Sequence, residues 1–146
     1  MTEKASAIID ELASTDRKRS ASTAAKQLAR TIVKAIQSKK GRHIVVIDMD
    51  EVSGIADYFV LCTGDSDTQI KAIADAVKYD VSHEHGEHPW RTEGYTHRQW
   101  VLVDYVDVVV HIFDVERRDY YNLERLWADA PMEEIIEDTG SMGLLD

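Results

Sequence analysis

Two rhythms of apolar positions divide this chain into elements. Ala25, Leu28, Ile32 and Ile36 recur every three or four residues, the pattern of a helix with one buried face. Ser22 is placed to cap that helix. Gly41 is placed to stop it, just after Lys39 and Lys40, whose charge suits a helix C-terminus. Ile70, Ile73, Ala74, Val77 and Val81 form a second stripe. It predicts a helix from the Gly64-Asp65-Ser66-Asp67 junction to about His85, capped by Asp65 or Ser66 and ended by Gly86.

The other rhythm belongs to strands. His43 to Met49 and Asp57 to Thr63 are apolar runs joined by the turn-forming Asp50-Glu51-Val52-Ser53-Gly54. The run Trp100-Val101-Leu102-Val103-Asp104-Tyr105 alternates, with Trp100, Leu102 and Asp104 on one face and Val101, Val103 and Tyr105 on the other. With Val108-Val109-Val110-His111-Ile112-Phe113 it predicts an antiparallel hairpin turning at Tyr105-Val106-Asp107. Val101 and Val103 suit a buried face. A tryptophan and a carboxylate two pleats apart suit a surface that meets something. Glu87 to Arg98, with Pro89 and Gly94, reads as a loop with room for a short strand near Trp90. Asp114 is placed to cap Val115 to Trp127, as one helix or two short ones. The order is therefore α-β-β-α-β-β-α. Residues 1–21 lack sustained periodicity and are expected as a mobile extension. Residues 131–146 are expected as an acidic C-terminal tail, with Gly140 and Gly143 arguing against order at its end.

With 146 residues, 44% hydrophobic and 30% charged, the chain fits one soluble globular domain. No run approaches the ~18 apolar residues of a membrane span, and Met1 to Asp16 lacks the pattern of a secretory signal. The single cysteine, Cys62, precludes an intrachain disulfide and suggests a reducing compartment; cytoplasm is the simplest expectation. The net charge of −10 hides an asymmetry. Residues 17–42 hold nine Lys/Arg and no acid, leaving 8 basic against 27 acidic side chains elsewhere. Most of the surface would repel a phosphate backbone and would attract a basic protein. Lys26, Arg30 and Lys34 repeat along one helix face, which is more often solvated than bound to nucleic acid.

Candidate chemistry is sparse. His83-x-His85-x-x-His88 offers imidazoles, but a helix points His83 and His85 apart, so no metal site is assigned. Cys62 sits within a strand, where a buried thiol outweighs a nucleophile. Gly64-x-Ser66 opens a helix, yet Asp65 and Asp67 put negative charge where a phosphate would sit. The pairs Asp48/Asp50 and Asp104/Asp107 are the carboxylates a magnesium ion would want. There is no nucleophile elbow, Walker loop or Rossmann glycine pattern. No catalytic residue and no cofactor is assigned.

The runs Asp57-Tyr58-Phe59-Val60-Leu61-Cys62-Thr63-Gly64, Gln69 with Lys71-Ala72-Ile73-Ala74-Asp75, Trp100 to Tyr105, Asp107 to Phe113, and Tyr120-Tyr121-x-Leu123-Glu124-x-Leu126-Trp127 closely resemble the ribosomal silencing factor (Iojap-like) family. The likeness spans roughly residues 22–130. It implies an α/β (α+β) fold with a mixed sheet of about five strands flanked by helices, on a nucleotidyltransferase-like scaffold without established catalysis. It also implies binding to the large ribosomal subunit through the universal ribosomal protein number fourteen, which blocks joining of the small subunit and represses translation. Trp100 and Asp104 match the family's partner-facing Trp and Asp, and Leu102 lies between them, so these three are the expected partner-binding residues. A peripheral ribosomal RNA contact stays open, and an open apolar strand face predicts a homodimer of the isolated chain. Val106 stands where the family usually has Gly, and a Val resists φ > 0. The alternative is a nucleotidyltransferase-type enzyme using Asp48/Asp50 and a metal. There the order is wrong, because Asp48-x-Asp50 precedes Gly64 and Asp65 separates that Gly from its Ser.

Overall fold

The computed structural model describes residues 23–52, 54–136 and 140–146. Ser22 and the extension before it lie outside these. The first helix, α1 (Thr23–Ser38), buries Ala25, Leu28, Ile32 and Ile36 as their spacing requires. Its end differs in detail from the expectation. Lys40, with φ 64°, takes the left-handed position. The amides of Lys40 and Gly41 donate to the carbonyls of Gln37 and Ile36, the paired bonds of a Schellman ending. Gly41 is needed for another reason: a Cβ there would stand 2.3 Å from Cγ2 of Ile36.

Strand β1 (Arg42–Asp48) pairs antiparallel with β2 (Tyr58–Thr63). Helix α2 (Asp67–His85) is capped by Ser66, whose side chain accepts from Gln69 N, and ends at Gly86 in the left-handed region. The short β3 (Arg91–Glu93) precedes β4 (Trp100–Asp104) and β5 (Val108–Phe113), the antiparallel hairpin read from the alternation. Gly94 lets the β3–β4 connection cross the backbone closely, since a Cβ there would meet Trp100 O at 2.0 Å. Asp114 caps α3 (Val115–Tyr121), and a left-handed Asn122 separates it from the single turn α4 (Leu123–Leu126).

Among the described residues the sheet has six strands in the order β3-β4-β5-β2-β1-β6, one more than expected. The extra edge strand is β6 (Met132–Glu134), which pairs antiparallel with β1. The region expected as a trailing acidic tail is thus partly built into the domain. Ile135, Met142 and Leu145 pack into the core beside α1, because the edge of β1 needs a partner and these side chains have an apolar place to go. Among the described residues only β2 and β5 pair in parallel, and α2 lies within the crossover that joins them.

Both faces of the sheet are covered. Val46, Val60, Cys62, Val101, Val103, Val110 and Ile112 meet α1 and α2. Val45, Ile47, Phe59, Leu61, Trp100, Leu102, Val109 and Phe113 pack with Met49, Ile55 and Ala56, which follow β1, and with Leu123 and Ala130. Among the described residues, no helix is long and apolar enough to cross a membrane.

Candidate functional site

Trp100, Leu102 and Asp104 share one face of β4, as the alternation requires, but that face is not open. Trp100 is 9% exposed, Leu102 3% and Asp104 0%. The Trp100 ring lies 4.7 Å from Phe113 and 4.8 Å from Tyr121, which reaches it from α3. Its Nε1–H donates to His111 Nδ1 at 3.2 Å. The expectation of an exposed tryptophan and acid is therefore corrected: both are enclosed, and each makes a hydrogen bond inside the protein. The cover comes from short helices and loops, whose burial leaves no long periodic signal in the sequence. The ground for a homodimer through an open apolar face goes with it.

Asp104 has a definite job in this position. Its carboxylate accepts from Val106 N at 2.7 Å, across the hairpin tip. Val106 has φ 72°, and Asp107 N donates to Tyr105 O at 2.9 Å, so the turn is the tight three-residue kind that strains a β-branched residue. Asp107 O then accepts from the amides of Asp57 and Tyr58, tying the tip to the start of β2. That hydrogen bond to the Val106 amide offsets part of the strain.

His111 occupies the centre of the same face. Its ring lies tilted against Phe59, centroids 4.6 Å apart, and its Nδ1 accepts the hydrogen bond from the Trp100 N–H, which leaves the neutral tautomer protonated at Nε2. Burial, reinforced by the Arg118 guanidinium, pushes its pKa down to about 3. Arg118 is itself buried, donating to Thr63 Oγ1 at 3.0 Å and pairing with Glu124 at 3.0 Å. This Thr63–Arg118–Glu124 chain clamps the short helices to the sheet. Neither it nor His111 as the tryptophan's acceptor was foreseen; an Arg four residues after the Asp114 cap was the only hint.

The other candidates disperse. Asp48 Oδ1 accepts from Asp50 N at 3.1 Å, so the pair proposed for a metal closes a turn. His83 stacks on Tyr79, whereas His85 Nε2 lies 2.8 Å from Thr31 Oγ1. Among the described residues no group of three or more His, Cys, Asp or Glu could hold a metal ion. Cys62 is enclosed, and burial raises its thiol to about 12. Arg30 is drawn to the chain's last residues, donating to Leu145 O at 2.9 Å, while Lys34 is exposed. Gln69 links α1 to α2: its Nε2 donates to the carbonyls of Lys39 and Lys40 at 3.0 Å.

A mixed sheet covered by helices on both faces, with side chains such as Asp104, Arg118 and Gln69 holding its turns and helices, defines an α/β protein. A family model described as "Ribosomal silencing factor during starvation" matches residues 22–142. The chain belongs to the ribosomal silencing factor family. It is 43% identical over 110 residues to the ribosomal silencing factor RsfS of Bacillus subtilis (strain 168), a match covering 75% of this chain and 92% of that protein. It is 45% identical over 109 residues to the RsfS of Halalkalibacterium halodurans, with 75% and 92% covered. A crystal structure of a Bacillus halodurans protein superposes with a TM-score of 0.65 at 40% identity, covering 75% of this chain and 98% of that one.

Proposed function

We propose that this protein docks on the large ribosomal subunit through the universal ribosomal protein number fourteen, keeps the small subunit from joining, and so represses translation in the cytoplasm. Family membership along residues 22–142 is the observation that carries this reading. Charge supports the choice of a basic protein as partner: the chain holds 27 acidic against 17 basic side chains. The mechanism needs only occupancy, with no cofactor and no covalent step.

Trp100, Leu102 and Asp104 serve this docking as supports. Trp100 and Leu102 carry the layer of short helices, and Asp104 holds the hairpin tip in place. The surface offered to the partner is what they hold up. Co-sedimentation of the purified chain with isolated large subunits is the test. Saturable binding that weakens as salt rises is expected, and a chain left in the supernatant at all concentrations would refute the reading.

A further inference from the structure

We infer that the energetic centre of docking is the β4–β5 tip, where Trp90 and Val106 lie exposed on either side of Asp104 at the acidic end of the sheet, and that its occupant is a lysine- or arginine-bearing surface of a ribosomal protein. This deepens the proposed function and rests on it.

Trp90 and Val106 stand on either side of Asp104: Trp90 N donates to Asp104 O at 2.8 Å, and Val106 N donates to its carboxylate at 2.7 Å. Both side chains are open to solvent, Trp90 at 52% and Val106 at 38%. The Arg91 guanidinium lies over the indole, 4.2 Å from its centroid, which restricts the ring and leaves less entropy to lose on binding. A pre-positioned Trp beside a small apolar knob is the composition of an interface centre. Val106 adds a second sign. It keeps φ 72° although glycine would relieve the strain, and its side chain stays open to solvent.

The surroundings select the partner. Register puts Asp48, Tyr58 and Val108 in one row, with Asp104 opposite Val109 next to it, so one end of the sheet collects the acids. Burial and then the charges of Asp48, Asp57 and Asp50 hold the Tyr58 proton more tightly, and Glu87 acts in the same way on buried Tyr105. Asp107 completes the tip, where its carbonyl takes the amides of Asp57 and Tyr58. An RNA backbone would be repelled here, and a cationic protein surface would be drawn in.

The test measures binding of the wild-type chain, Trp90→Ala and Val106→Gly to purified large subunits, with protein-free large-subunit RNA as a parallel arm. Removing an indole from an interface centre is expected to weaken binding ~30-fold, and trimming Val106 ~3-fold or more. Melting is read alongside: Trp90→Ala should unfold like wild type and Val106→Gly at a higher temperature, so lost binding is not lost folding. Wild type that binds while both variants bind equally well overturns the tip assignment and leaves the proposed function standing. Protein-free RNA bound as tightly as whole subunits overturns the choice of partner. Wild type that ignores large subunits removes both readings.

Discussion

The two faces of the sheet are both buried, yet they are built differently. The α1/α2 face is a meeting of long stripes, with Ile32, Ile36, Ile73 and Val77 against β-branched strand residues. The Trp100 face is assembled from pieces: two short helices, the residues after β1, and the polar side chains of His111, Arg118 and Asp104, each of which makes a hydrogen bond within the protein. The first face needs only hydrophobic periodicity. The second needs particular atoms at particular distances, and it borders the strained tip. Stability is shared between the faces, whereas specific chemistry is concentrated on one.

The largest effect should come from emptying either face. Phe59→Ala is expected to cost about 3–5 kcal/mol and Ile32→Ala about 2–5 kcal/mol, read from denaturant midpoints. A Phe59→Ala cost below that of an exposed substitution would mean that the short helices do not close the second face.

The next effect separates the faces by pH. His111 is neutral when folded, with a pKa near 3, and takes up a proton near 6.5 when unfolded. Above pH 6.5 neither state binds the proton, so nothing is lost. As the pH falls below 6.5 only the unfolded chain protonates, and stability falls by about 1.4 kcal/mol per pH unit until the folded histidine titrates. The difference in stability between wild type and His111→Gln should carry this slope between pH 6.5 and 5. A difference that stays flat would contradict the buried neutral imidazole.

Much of this contrast was legible in advance, and the part that was not has a physical cause. Helices α1 and α2, the hairpin, the Asp114 cap and the parity of Trp100, Leu102 and Asp104 all follow from local periodicity and capping chemistry. Exposure of the Trp100 face did not follow, because an alternating strand says which side chains share a side and nothing about what later covers them. The cover, Tyr121 and Leu123 around a left-handed Asn122, is too short for a periodic signal. Strand β6 was missed for the same reason: three residues, two of them glutamates, read as a solvated tail until β1 offers an edge.

Smaller effects sharpen the picture at the tip. Asp104→Ala removes the acceptor of the Val106 amide and is expected to cost about 1–3 kcal/mol. Val106→Gly should do the reverse. The relief of about 1–3 kcal/mol of strain exceeds the 0.5–1 kcal/mol that a glycine typically loses, for a net gain of about 1 kcal/mol. A destabilised Val106→Gly would show that the side chain packs in the isolated protein after all.

Subunit joining followed by light scattering tests the central claim most directly. Purified small and large subunits, mixed after the large subunit has been saturated with this protein, should fail to give the rise in scattering that marks assembled ribosomes, and should regain it when the protein is left out. An undiminished rise with the large subunit demonstrably occupied would contradict silencing by occlusion.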